Sequence, residues 1–182
     1  MEVGKPGLAI EAYSAAIRLN PQYTMIYDRR AEAYGMLGEH ILVVNDYNRA
    51  IELSPSGPSR FVRRGVGLFA LGRLEEAIQD FDEAIRLYET IITRLSKKRS
   101  QPAEAVRTIP ILAMAYNNRG STYHEMGQID RAIDDYTEVI RLNPSLGEAF
   151  YNRATAFAVV GKIAEARQDL QQAEALGTTI PN

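Results

Sequence analysis

The chain has 182 residues, 46% apolar and 24% charged, with a formal net charge of −2 and no cysteine. That length holds one buried domain or a short repeat array. The charge gives no general attraction to nucleic acid, the missing cysteine removes disulfides and thiolate chemistry, and no apolar run reaches the roughly 18 residues of a membrane span.

The N-terminal segment MEVGKPGLAI has one lysine and is interrupted by Gly4, Pro6 and Gly7. A secretory signal needs a continuous apolar stretch there, so a cytoplasmic location is expected, with export left open if the N-terminus is truncated. The first helical stripe is Ala9, Tyr13 and Ala16, ended by Pro21. From Gly4 the glycines then set a period: Gly38 and Gly72 follow at steps of 34, and Gly127 and Gly161 are again 34 apart. The middle gap of 55 is one period enlarged by 21 residues.

Other residues keep this register. Upstream of each glycine an aromatic (Tyr27, Phe61, Tyr116, Phe150), a small residue (Ala31, Gly65, Gly120, Ala154) and a second large side chain (Tyr34, Leu68, Tyr123, Phe157) fall at i, i+4 and i+7, one face of a first helix, A. Downstream, Val43, Tyr47 and Ala50 and their counterparts Ala77, Phe81 and Ala84, Ala132, Tyr136 and Val139, and Ala166, Leu170 and Ala173 form the stripe of a second helix, B. Proline closes the units at Pro21, Pro55 and Pro144.

This pattern resembles the tetratricopeptide repeat, whose 34-residue unit carries an aromatic at position 4, glycine or alanine at 8, tyrosine at 11, alanine at 20 and 27, an aromatic at 24 and proline at 32. The resemblance implies an all-α, right-handed superhelix of antiparallel helix pairs, forming one solenoid domain over residues 1–182. A half repeat at 1–23 precedes complete repeats at 24–57, 58–91, 113–146 and 147–180. Glu89 stands where proline would stop the third B helix, so that helix is expected to run into a helical insertion at 92–112 and return as an antiparallel spike. Its tip, Lys97 to Pro102, is basic, and Pro110 is expected to kink the returning helix or mark its start. A positive tip without stacking aromatics does not make a nucleic-acid site.

Position 7, usually leucine in the family, is arginine in every complete unit (Arg30, Arg64, Arg119, Arg153), and position 23 is aspartate (Asp46, Asp80, Asp135, Asp169). The two positions lie nearly symmetrically about the turn glycine, so Arg–Asp pairs across each hairpin are expected rather than an arginine row for anionic ligands. The half unit has Ala12 at position 23, consistent with pairing inside a unit.

Resemblance to the family also places partner binding along a concave groove lined by helix-A positions 2, 5, 6, 9, 12 and 13. The residues expected to bind there are Val62, Arg63, Val66, Phe69, Asn117, Asn118, Ser121, Tyr151, Asn152 and Thr155. Large apolar groups would anchor a peptide or helix and the amides would meet its backbone. The carboxylate clamp of chaperone-binding relatives is not matched: its lysine, asparagine and arginine positions read Asp28, Glu32, Arg63, Met114 and Asn118, or Val62, Val66, Asn118, Glu148 and Asn152 one unit later. Two histidines without cysteine suggest no metal site, and no nucleophile, phosphate loop or triad is present, so neither catalysis nor a cofactor is expected.

At the C-terminal end Arg167 and Glu174 replace the aliphatic pair that faces the next unit elsewhere, as a terminal cap requires, and Gly177 is a helix stop. At the other end Ala9, Tyr13 and Ala16 lack a helix A of their own. Three functions are therefore expected to compete: a protein-binding scaffold, a self-associating module using the open N-terminal face as a homo-oligomer, and the regulatory end of a longer enzyme.

Overall fold

The computed structural model describes residues 6–97 and 102–179, with side chains assigned outside Lys97 and residues 102–106. Among the described residues the chain is entirely helical: α1 (Pro6–Leu19), α2 (Thr24–Met36), α3 (His40–Leu53), α4 (Pro58–Ala70), α5 (Leu74–Lys97), α6 (Pro102–Glu125), α7 (Ile129–Leu142), α8 (Gly147–Val159) and α9 (Ile163–Ala175). Two compact units divide the chain, Met1–Ala84 and Ile85–Asn182. Helix α5 contributes its first half to one and its second half to the other.

In the first unit α1 packs on α2, α2 on α3 and α3 on α4. In the second, α6 packs on α7, α7 on α8 and α8 on α9. The turns between paired helices are alike. Gly38, Gly72, Gly127 and Gly161 take φ between 72° and 75°, a left-handed conformation that costs a side-chain-bearing residue about 1–2 kcal/mol. The following amide then reaches back to the carbonyl of position 11: Glu39 to Tyr34 at 3.1 Å, Arg73 to Leu68 at 2.9 Å, Gln128 to Tyr123 at 2.8 Å and Lys162 to Phe157 at 2.9 Å. These bonds satisfy carbonyls that the end of helix A would leave unpaired. Gly177, with φ of 83°, ends α9 by the same device.

The core of each pair is the small-residue contact. Ala31, Val43 and Tyr47 form a cluster with Tyr34 packed against it. A methyl group on Gly65 would stand 2.7 Å from Phe81 Cε1, and one on Gly120 2.9 Å from Tyr136 Cε1. In these two pairs the ring at position 24 occupies the space that a Cβ at position 8 would need, which is why that position is glycine there.

Both helices flanking the insertion are lengthened to 24 residues, α5 beyond the normal end of helix B and α6 before the normal start of helix A. Tyr88, Leu95, Leu112 and Tyr116 are buried along them. Pro110 lies inside α6, so the returning helix begins at Pro102 rather than at Pro110. The expected basic tip, Lys97 to Pro102, lies outside the residues whose side chains are described.

Tyr116 shows how the insertion keeps the repeat register. In the first unit the position-4 hydroxyl of Tyr27 donates to the Pro21 carbonyl at 3.0 Å. Tyr116, also at position 4, donates instead to Glu89 Oε1 at 2.8 Å. Pro21 and Glu89 occupy the same repeat position, so a side-chain carboxylate takes over the role of a turn carbonyl. Burial and the adjacent carboxylate push the Tyr116 phenol upward.

At the C-terminal end Arg167 and Glu174 are exposed, as a polar outer face on α9 requires. No described helix is long and apolar enough to cross a membrane.

Candidate functional site

Every arginine at position 7 meets its aspartate through two bonds. The Nε and Nη2 distances to the carboxylate are 2.8 and 2.7 Å for Arg30–Asp46, 2.7 and 2.6 Å for Arg64–Asp80, 2.9 and 2.6 Å for Arg119–Asp135, and 2.7 and 2.9 Å for Arg153–Asp169. The aspartates are buried, and the arginine side chains are about one-fifth exposed. Each guanidinium also lies against rings from positions 4 or 11: Arg30 is 5.9 Å from the Tyr27 centroid, Arg64 5.6 Å from Phe61, and Arg153 5.5 Å from Phe157.

A third contact escapes a reading confined to one hairpin. Nη1 of Arg30 donates to Ser14 Oγ at 3.0 Å, that of Arg64 to Asn48 Oδ1 at 2.8 Å, and that of Arg153 to Thr137 Oγ1 at 3.1 Å. Ser14, Asn48 and Thr137 sit 16 residues before their arginines, as the aspartates sit 16 after. The arginine therefore ties its own B helix to the B helix of the preceding repeat. The signal was present in the sequence as a short polar side chain at position 25.

The expected binding residues separate into two sets. On the first unit, Val66 is 45% and Phe69 37% exposed, large apolar groups that the helix pair itself does not cover. Val62 departs from expectation. It is only 1% exposed, because position 5 of α4 turns into the packing rather than onto the surface, and it cannot touch a partner. Arg63 is exposed and makes one longer ion pair, 3.4 Å to Glu32. Neighbouring charges are matched more tightly: Arg60 grips Asp28 at 2.8 and 2.9 Å, and Arg29 meets Glu32 at 2.9 Å. Beneath them Tyr47 is buried, which pushes its phenol up to about 12 although Arg63 pulls it back.

On the second unit, Asn152 Nδ2 donates to Asn117 Oδ1 at 3.0 Å, linking α8 to α6. That bond uses one polar atom of each amide. Ser121 Oγ accepts from the Tyr136 hydroxyl at 3.3 Å, and the Thr155 hydroxyl donates to the Asn152 carbonyl at 2.7 Å. Asn118, Tyr151, Asn152 and Thr155 are half-buried. His124 Nε2, on the same helix as Asn117, is buried with no partner. Among the described residues no cluster of three or more histidines, aspartates or glutamates is placed to hold a metal ion.

Models of the tetratricopeptide repeat match residues 59–91 and 113–146. The chain carries tetratricopeptide repeats at these residues. No curated protein matches it in sequence. Among solved structures, MamA from Desulfovibrio magneticus RS-1 is similar over 96% of this chain and 86% of its own, with 16% identity and a TM-score of 0.78. PilF of Pseudomonas aeruginosa is similar over 97% and 80%, with 17% identity and a TM-score of 0.71. The first repeat domain of Spaghetti (RPAP3), solved with an HSP90 peptide of sequence SRMEEVD, is similar over 82% and 94%, with 19% identity and a TM-score of 0.56. At these identities the likeness is one of fold. The repeat that the second model matches coincides with the 113–146 unit read from the glycine spacing, and the first begins one residue inside the 58–91 unit.

Proposed function

We propose that this protein is a non-catalytic scaffold that binds a peptide or helical segment of a partner on the exposed faces of its A helices. The observation that carries this reading is the contrast at the surface of the first unit. The Arg60–Asp28 pair is closed by two short bonds, whereas Val66 and Phe69 stand exposed beside Arg63. Exposed apolar groups next to a loosely held cation suit a segment that presents an apolar side chain and a carboxylate. In the second unit Asn117, Asn152 and Tyr151 offer amide and ring contacts suited to an extended backbone. The peptide-bound domain of Spaghetti supports the general mode, and the mismatched clamp positions argue against the same ligand.

The test is selection from a displayed peptide library against the wild-type chain, with the selected peptides then measured on two variants. Val66→Asp with Phe69→Ala should abolish binding to the first unit, and Tyr151→Ala with Asn152→Ala should weaken binding to the second. Helicity should be unchanged in both. Peptides that bind both variants as tightly as the wild type would remove these faces from consideration.

A further inference from the structure

In three complete repeats the position-7 guanidinium lies against two rings, one from position 4 and one from position 11. Arg30 has Tyr27 and Tyr34 at 5.9 and 5.7 Å, Arg119 has Tyr116 and Tyr123 at 5.3 and 5.8 Å, and Arg153 has Phe150 and Phe157 at 5.8 and 5.5 Å. In the last two of these the position-11 ring holds a second cation: Arg131 is 5.2 Å from Tyr123, and Lys162 is 5.7 Å from Phe157. Arg64 has its position-4 ring, Phe61, at 5.6 Å, but position 11 of α4 is Leu68. Arg73, at the repeat position of Lys162, therefore has no position-11 ring beside it.

A cleft of about 180 Å³ opens here between α3 and the first half of α5, and Arg64, Leu68 and Arg73 all line it. A cavity of about 150 Å³ is enough to hold benzene. Leu68 and Val44, 3% and 4% exposed, give the cleft an apolar wall. Its cations are held in place. Arg64 is fixed by Asp80 and by a 2.8 Å bond to Asn48, and Arg73 by two bonds of 2.7 and 2.6 Å to Glu76. Because both carboxylates also line the cleft, it carries no net charge to attract an anion. The guanidinium faces still attract the π face of a neutral ring.

We infer that this cleft is a subsite for one neutral aromatic ring from a ligand, which takes the place of the missing position-11 ring beside Arg64 and Arg73. A phenol fits it better than an unsubstituted ring. The Asn48 oxygen is taken by Arg64, so its amide nitrogen remains to donate to a hydroxyl, and Gln79 brings a second amide to the cleft. Val66 and Phe69 do not line this site, so it does not depend on the A-helix faces binding anything.

The experiment titrates the full chain with p-cresol and follows the Nε–H groups of Arg64 and Arg73 and the side-chain amides of Asn48 and Gln79 by proton–nitrogen correlation spectra. Saturable ring-current shifts centred on these groups are expected, with a dissociation constant on the order of 1 mM for so small a ligand. Methylcyclohexanol, of similar size without a π face, should bind about tenfold more weakly, and Arg73→Ala should weaken p-cresol about threefold. Leu68→Phe supplies the ring from within and should abolish binding without lowering the urea midpoint. N-acetyltyrosinamide tells the source of the ring: tighter binding than p-cresol assigns it to a polypeptide side chain, and equal or weaker binding to a free phenol. No saturable shift, equal binding of the alcohol, or p-cresol binding that survives Leu68→Phe would overturn the inference. If Leu68→Phe did not fold, an unchanged affinity in Arg73→Ala would overturn it alone.

Discussion

Replacing Arg64 and Asp80 singly and together tests what the position-7 pairs do. Asp80→Ala removes a carboxylate that accepts two bonds of 2.7 and 2.6 Å, but the guanidinium left behind keeps its 2.8 Å bond to Asn48, its contact with Phe61 and a side chain that is 21% exposed. Water can solvate it, so the loss should be about 2 kcal/mol, near the lower end for breaking a partly buried pair. Arg64→Leu leaves a carboxylate whose side chain is only 6% exposed, and should cost about 3 kcal/mol at neutral pH. Burial already pushes the Asp80 carboxyl above its ordinary value, against the opposing pull of Arg64. Without the arginine it rises further. A group whose folded pKa is raised contributes stability that is present below its unfolded value and lost as pH rises through the folded one. The Arg64→Leu deficit should therefore shrink on acidification from about pH 7 to about pH 5. The double variant Arg64→Leu, Asp80→Ala leaves no stranded charge and should lose no more than about 1 kcal/mol. Urea unfolding followed by circular dichroism measures all three, with hydrogen exchange of α4 locating the effect. If the double variant lost the sum of the singles, the charges would not be coupled and the pairing argument would fail.

Two further perturbations probe the core. Tyr47 is 2% exposed and its phenol is pushed up to about 12 by burial, so the neutral ring is the folded form and stability falls as pH climbs from 10.0 toward that value. Tyr47→Phe should spare about 1 kcal/mol of the loss between about pH 8 and pH 11, read from urea midpoints; an equal loss in both proteins would refute it. Gly65→Ala gains about 1 kcal/mol in helix propensity but sets a methyl 2.7 Å from a ring that is 1% exposed, and overpacking of that kind costs about 1–3 kcal/mol. A net loss is expected that Phe81→Leu in the same chain relieves, whereas a more stable Gly65→Ala would mean that the ring shifts at little cost.

The helix pairs were legible in the sequence because each repeat position has a single physical demand. A left-handed turn selects glycine, a close helix approach selects a small residue, and the remaining space selects a ring, so a repeat of 34 carries the same three signals each time. The candidate binding face was less legible. Val62 and Val66 are both valines on α4, and the family's groove positions place both at the surface, yet one is 1% and the other 45% exposed. A residue at position 5 lies close to the boundary of the buried stripe, where a modest rotation of the helix decides its side. The same groove positions point Asn117 and Asn152 toward a partner, and part of their capacity goes to the bond between them. Groove positions carry no fixed packing demand, so sequence leaves them underdetermined.

The insertion shows which constraints the repeat can relax. Removing proline at position 32 allows α5, at 24 residues, to run about three turns beyond the 14 residues of α3, and the cost to the next unit would be the loss of the carbonyl that anchors its position-4 hydroxyl. Glu89 supplies that acceptor from a side chain at 2.8 Å, so Tyr116 keeps both its ring in the core and a partner for its hydroxyl. An unpaired buried phenol would cost about 1–3 kcal/mol, enough to favour a different seating of α6. The arginine of this unit holds its aspartate as in the others, at 2.9 and 2.6 Å. Length therefore enters between repeats without disturbing the pairs within them, provided that the residue replacing proline can accept a hydrogen bond. A hydrophobic residue at position 89 would continue the helix equally well and fail at Tyr116, which makes the carboxylate, more than the absence of proline, the feature that reconciles the insertion with the repeat.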